Sequence, residues 1–521
     1  MSLLLFAVRY ILPVGLVSAL SAFIFTSSPA VASSYVEGFG LEMSALPALT
    51  LENVEPLLDQ VEAAGVKYIR QEVNWSLIEA SPDSYDWASV GQLDLLFASA
   101  KSRGIRVVAT LTGGPVYLAE GGSVDRTAFG DRWEKFVQAA VNHYGEYVDI
   151  WEIGSAVNSA HGMSVFLSPL SPQEAVEPDP VFYTDVLRAA AKIINDADPN
   201  DQVWLGSLVS VYAGECAMNP LTFLLEVNAA RGWKSIDVIT YQPAQGAAAP
   251  EYSASGEINA ACGSNLMTVP VSISEEVQAV QELARQLGEK QVLISGLEWS
   301  GENLEYLAQD RDISIQQVEA DMLGRASVIL MSRNSVPLVF WHTDITTNPS
   351  SYNALRNLQN TLEKARPLGQ AQGQDGTIYE FRFGHGGQTI IIAWNTVDGD
   401  TAVPAALTVE NFRRLEAWAI DTPEVSSDYA MEIKIDDSGQ GVVLLNERPV
   451  LFTGRTTDIA ENLRASIHNQ VELWGEEIED SLAHVANDLK SEMMQLLEKG
   501  FDQAREEAVN WGEEKLDELL P

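Results

Sequence analysis

Three patterns predict an α/β chain: a (β/α)8 TIM barrel, then a small antiparallel β-sandwich, then a C-terminal amphipathic helical tail. Between Tyr35 and about Ala365, short β-rich runs alternate with amphipathic helical stretches, the order of repeated βα units around a parallel sheet. From about Gly369 to Gly454 the hydrophobic period becomes two, as expected of half-buried antiparallel strands. Beyond Thr456, Leu463, Ile467, Val471, Trp474, Ile478, Leu482, Val485, Leu489 and Met493 recur at helical spacing, and the opposite face is rich in Glu and Asp. The expected segments are a leader over 1–32, a barrel over 35–366, a sandwich over 369–454 and a helical tail over 456–521.

Eight strand candidates follow in order: Val36 to Glu42, Lys67 to Val73, Ile105 to Thr112, Val148 to Gly154, Gln202 to Val209, Asp237 to Tyr241, Gln291 to Glu298 and Pro337 to Thr343. Helices are expected over Leu51 to Ala64, Val90 to Arg103, Asp131 to Tyr144, Tyr183 to Ala197 and Ile315 to Ser332. Eight such units fit a closed barrel, whose sites lie at the C-terminal ends of its strands. In the sandwich, Ile378 to Phe383 and Thr389 to Trp394 flank the turn His385-Gly386-Gly387-Gln388, which predicts a hairpin. Val442 to Leu445 and Pro449 to Thr453 are further short strands.

At 521 residues and 46% apolar composition, the chain can bury a large core spread over two or three domains. Its formal charge of −41 argues against nucleic acid or anionic lipid as a partner, because both are bound largely through Lys and Arg. A lone Arg9, the apolar run Ile11 to Phe25 and the small residues before Ala32 predict a secretory signal peptide, with an uncleaved anchor as the alternative. Export to the periplasm, the cell surface or the medium is expected either way. An exported chain with two cysteines, Cys216 and Cys262, is expected to join them as a disulfide between loops. No His, Asp and Glu spacing suggests a metal, no phosphate loop is present, and no cofactor is expected. The tail is expected to pack on a neighbouring domain, self-associate or bind a protein; its acidic polar face argues against a membrane surface.

The motifs that carry chemistry are Val66-Lys67-Tyr68-Ile69-Arg70 with Trp75, Ile78-Glu79 and Tyr85-Asp86-Trp87; Thr110 to Pro115; Trp151 to Ser159; and Lys290 to Ser300. Together with Trp133 to Tyr144 and Trp341, their order and spacing resemble the clan A glycoside hydrolases, especially the xylosidase-like and exopolysaccharide-processing branch. That resemblance implies a polysaccharide or oligosaccharide partner and two catalytic carboxyl groups. In the family's fourth strand, W-E-x-W-N-E-P-N, the second Glu protonates the leaving oxygen; here Ser155 and Ala156 occupy the Asn-Glu positions. A hydroxymethyl and a methyl group cannot shuttle that proton. The seventh-strand motif, aligned without a gap from Lys290, places Gly296 at the nucleophile. A rival register places Glu298 there, on the same face but about 6.6 Å further along the strand.

The resemblance assigns Arg70 to the guanidinium that holds the nucleophile. Trp75, Asn158, Gln242, Glu298, Trp299 and Trp341 are the other expected sugar contacts, since aromatic faces near strand ends stack on sugars about as often as they pack. Glu152 lies on the same face as Ala156 but about 13 Å deeper. It is expected to be a buried partner of an interior Arg such as Arg70. His342 and Asp344 share a face near the mouth, to bind sugar hydroxyls or to hold each other. The first expectation is therefore a glycosidase-like protein that binds a polysaccharide without cleaving it. The second is an active O-glycosyl hydrolase using Glu298 with an acid from Ala119-Glu120 or from Pro250 to Ser264. The third is an assembly protein acting through 456–521.

Overall fold

The computed structural model describes residues 35–119, 124–167, 176–212, 216–254, 271–309, 313–372, 377–396, 404–426, 429–431 and 433–456. The expected leader, the helical tail, Cys262 and Glu120 lie outside the described residues.

Eight parallel strands close into a barrel in sequential order: β1 (Gly38–Glu42), β2 (Tyr68–Asn74), β3 (Arg106–Thr112), β4 (Ile150–Ile153), β5 (Gln202–Val209), β6 (Val238–Gln242), β7 (Gln291–Leu297) and β8 (Leu338–Trp341). The eight longest helices among the described residues intervene or follow: α1 (Val54–Ala63), α2 (Gly91–Ser102), α3 (Arg126–Tyr144), α4 (Pro180–Ala197), α5 (Pro220–Ala229), α6 (Ile273–Gly288), α7 (Ile315–Arg333) and α8 (Pro349–Leu362). This is a (β/α)8 TIM barrel.

Several helices begin where a capping side chain meets the orphaned N–H groups of the first turn. Ser272 with Glu275 and Ser314 with Gln317 form capping boxes on α6 and α7, and Asp179, Asn219 and Asn348 cap helices that open with proline. The helices α3 and α4 start earlier than their apolar periodicity predicts, because Asp125 and Asp179 supply N-caps upstream of the first apolar repeat.

Successive strand residues alternate between faces. Val108, Ile150, Trp204, Val238, Leu293, Leu338 and Phe340 fill the inside of the barrel. Their neighbours in sequence point outward and pack beneath the helices in the main core.

The sandwich follows directly. Strands β9 (Arg366–Gln372), β10 (Ile378–His385), β11 (Gln388–Asn395), β13 (Phe412–Ala419) and β15 (Val450–Thr456) form a sheet in the order β9-β10-β11-β15-β13. The pair β12 (Ala405–Val409) and β14 (Gly441–Leu445) covers it, and Ile391, Phe452, Leu407 and Leu445 from the two layers share one core. The expected hairpin turn forms with positive φ at both Gly386 and Gly387, the conformation that a tight two-residue connection requires. On the barrel side Arg325 of α7 bonds Glu251 with Nε at 2.7 Å and lies over the Trp394 ring of β11.

Candidate functional site

Two residues above the apolar layer, the inward face turns polar on several strands at once: Tyr68 gives way to Arg70, Val108 to Thr110, Ile150 to Glu152 and Val238 to Thr240. The Arg70 guanidinium is central to this tier. Its Nε donates to Glu152 Oε2 at 2.6 Å, Nη1 to Glu42 Oε2, and Nη2 to Ser155 Oγ at 3.1 Å. Glu152 also accepts from Thr110 Oγ1 at 2.6 Å and Thr240 Oγ1 at 2.8 Å, and Glu42 accepts from Ser44 Oγ at 3.1 Å. Burial pushes the Glu152 carboxyl up, opposed by the Arg70 charge and the two threonines. Burial would lower the Arg70 guanidinium, but the Glu152 and Glu42 charges outweigh it and raise it further. Arg70 therefore holds Glu42 and Glu152, where the resemblance implied a nucleophile.

Above this tier lies a cleft of about 330 Å³ whose lining includes Glu42, Glu72, Ser155, Gln242, Glu298 and His342. At its β4 rim the chain leaves the strand through two left-handed residues, Gly154 at φ 84° and Ala156 at φ 50°. Alanine in that region costs about 1 kcal/mol. The Ala156 N–H is tied to Ser207 Oγ at 2.9 Å. As a result Ser155, not Ala156, lines the cleft, and residues 154–159 hold no carboxyl group.

At the β7 rim the pairing with β8 slips between Ile294 and Leu297, and both Gly296 and Glu298 border the cleft. A Cβ on Gly296 would lie 3.1 Å from Gln242 Nε2 and 3.3 Å from its Cδ. The Gln242 amide thus lies against Gly296 and would have to give by a few tenths of an ångström to admit a Cβ there.

Glu298 pairs with His342 Nδ1, the two side chains being 59% and 34% exposed, so the pair is open to the cleft. The His342 hydrogen bond holds the Glu298 carboxyl below its usual range. Burial alone would lower His342, but the bond and charge of Glu298 overcome it and raise its pKa. On β2, burial pushes the Glu72 carboxyl up, with Arg70 opposing.

Four expected sugar contacts are placed elsewhere. Trp75 is fully buried, stacks on Phe136 and donates to Glu79 Oε2 at 2.6 Å. Trp341 follows the inward-facing Phe340, so it points to the helix layer and donates to Ser327 Oγ at 2.8 Å. Trp299 donates to the Ala248 carbonyl at 3.1 Å and packs in the main core. Asn158 spends its amide on Val209 and Met218, clamping the loop after β4 to the loop after β5.

Asp344 turns to Thr346 and Thr347 and leaves His342 to Glu298. Glu251, the described carboxyl in the loop proposed to supply an acid, is buried against Arg325. Glu42 and Glu72 were missed, although they share the inward parity of the strands that carry them. Tyr212 and Gln245 were missed because they lie on loops, where no period marks them. Among the described residues, no group of three His, Cys, Asp or Glu is placed to hold a metal ion.

No protein-family model and no curated protein sequence matches the chain. Solved structures do share its fold. A family 39 glycoside hydrolase from the gut symbiont Bacteroides cellulosilyticus WH2 superposes with a TM-score of 0.60 at 16% identity, covering 81% of each chain. A family 30 endoxylanase from Clostridium papyrosolvens C71 gives 0.53 at 11% identity, over 81% of this chain and 97% of its own. AbfB, a family 51 α-L-arabinofuranosidase from Bifidobacterium longum, gives 0.53 at 10% identity, over 82% and 97%. The chain therefore has the fold of the clan A glycoside hydrolases, a barrel with an appended β-sandwich. Fold alone does not give the reaction.

Proposed function

We propose that the chain binds a polysaccharide or oligosaccharide in the barrel cleft without hydrolysing it. One feature supports this reading: in the register that places Gly296 at the nucleophile position, neither rim position of the family's carboxyl pair holds a carboxyl group, and the Gln242 amide lies against Gly296. A retaining glycosidase needs an acid and a nucleophile about 5–5.5 Å apart. Ser155 and Gln242 can donate and accept hydrogen bonds to sugar hydroxyls but cannot transfer a proton to a leaving alkoxide. Export, as expected from residues 1–32, would bring the cleft to extracellular glycans.

The test is calorimetry on the whole protein with xylo-, manno- and arabino-oligosaccharides and an oligogalacturonide. Binding of one class, weakened about tenfold (1.4 kcal/mol) by Gln242→Ala, is the expected result. No binding to any of them, or binding indifferent to Gln242→Ala, sinks the reading.

A second reading rests on a separate feature of the cleft. Glu298 is held ionised by His342, whereas burial favours the protonated form of Glu72, and both line the same cavity. Carboxyl groups pushed apart in this way suit a base and an acid. In this reading Glu298 takes a proton from the attacking water and Glu72 protonates the departing oxygen. Release of reducing ends that is lost in both Glu298→Gln and Glu72→Gln would favour it over binding alone.

A further inference from the structure

Behind the cleft, on the first turn of α6, Glu276 is buried, and among the described residues no cation acts on it. The groups acting on it are the Ser210 hydroxyl, the Tyr241 hydroxyl and the Ala244 N–H, with burial dominating and pushing its carboxyl up to about 7. Tyr212 and Tyr241 face it from the loop after β5 and from β6; burial and the Glu276 charge raise both phenols, so neither ionises near neutral pH. From its own helix, Glu275 is turned to the Ser272 cap.

The bonds that leave this carboxyl run into the cleft wall. Ser210 Oγ donates to Glu276 Oε1 and in turn accepts from the Tyr212 N–H at 3.1 Å. The Ser210 N–H donates to the Gln242 carbonyl at 3.0 Å, joining the loop after β5 to the end of β6. Tyr212, Gln242 and Ala244 all line the cleft. Among the described residues, Glu276 Oε2 and the adjacent Tyr241 hydroxyl have no hydrogen-bond partner of ordinary geometry. A protonated carboxyl group tolerates that arrangement. A carboxylate there is a buried charge with hydrogen-bond donors but no balancing cation among the described residues, and burial disfavours it.

We propose that Glu276 is a positioning residue for the β5–β6 wall of the cleft, holding the wall in its neutral form and loosening it when its proton leaves. The proposal concerns the shape of the wall and stands whether or not a glycan occupies the cleft.

Hydrogen exchange of the whole protein, read by mass spectrometry as protection factors at pH 5.5 and 8.5, tests it without a ligand. The expected result is that amides of residues 208–212 and 241–249 lose at least tenfold protection at the higher pH, while β2 and β3 do not change. In Glu276→Gln, which keeps the shape and cannot ionise, these amides stay protected at both values. In Ser210→Ala, which cuts the tie and leaves the carboxyl group, they are weakly protected already at pH 5.5. Equal wall protection at both pH values in the unmodified protein, or a Glu276→Gln variant that loosens as the unmodified protein does, overturns the proposal. If Glu276→Gln does not fold, the unmodified protein and Ser210→Ala still decide.

Discussion

The polar tier inside the barrel and the rim above it are set by the same strands only a few residues apart, yet their side chains are held in different ways. In the tier, Arg70, Glu42, Glu152, Thr110 and Thr240 form a network in which both carboxylates are paired and further hydrogen-bonded. At the rim the fourth strand turns away through Ala156, the seventh presents Gly296, and the Gln242 amide lies against it. The difference teaches which parts of such a site are held by folding and which by chemistry. Removing one member of a buried charge network leaves an uncompensated charge and destabilises the protein by several kcal/mol, roughly 3–5. The exposed Glu298–His342 pair at the rim carries no such penalty.

The largest expected effect therefore lies in the tier. Arg70→Met strands Glu42 and Glu152 and is expected to destabilise by about 3–5 kcal/mol in urea unfolding, against under about 1 kcal/mol for Ser155→Ala at the rim. Equal losses at the two positions would remove the distinction.

Next comes pH. Glu276 ordinarily titrates at 4.5 and does so at about 7 in the fold. Its folded pKa is raised, so its stabilising contribution is full below 4.5 and is lost as pH rises towards 7, a span worth about 3 kcal/mol. Asp321 behaves alike, pushed up to about 7 by burial against the opposing charge of Arg448. The stability of Glu276→Gln relative to the unmodified protein should therefore climb between pH 4.5 and 7; a flat difference across that window contradicts the assignment.

A smaller effect probes the rim. Gly296→Glu must push against Gln242 and is expected to cost about 1–3 kcal/mol by overpacking. Adding Gln242→Gly should recover most of it, a coupling that a double-mutant cycle measures directly. No coupling would mean that the amide does not occupy that space.

Smallest in stability is His342→Ala, under about 1 kcal/mol because the pair with Glu298 is solvent-exposed. Its effect should instead appear as a changed pH dependence of ligand affinity between the Glu298 and His342 titrations.

Much of the scaffold is legible in the sequence. Each barrel strand lies within two residues of its predicted limits, because a buried parallel strand is a compact apolar run between helical patterns. The pairing of Glu152 with Arg70 was legible for the same reason: a period of two places both inside. The tryptophans were not. Whether an aromatic residue near a strand end faces the cleft or the helices depends on where the strand stops and whether it slips. Trp341 falls on the outward parity of β8, and Trp75 has already left β2 for a helical turn. The irregularity between β7 and β8 and the left-handed Ala156 likewise carry no mark in residue type. The approach of the Gln242 side chain to Gly296 is a tertiary fact that only the fold displays.

The most direct test of the account incubates the whole protein with the oligosaccharide class it binds and follows reducing ends over time, with Glu298→Gln in parallel. Saturable binding with no reducing ends above the protein-free control in either sample is the predicted result. Steady release by the unmodified protein that stops in Glu298→Gln would contradict it and make Glu298 a catalytic residue.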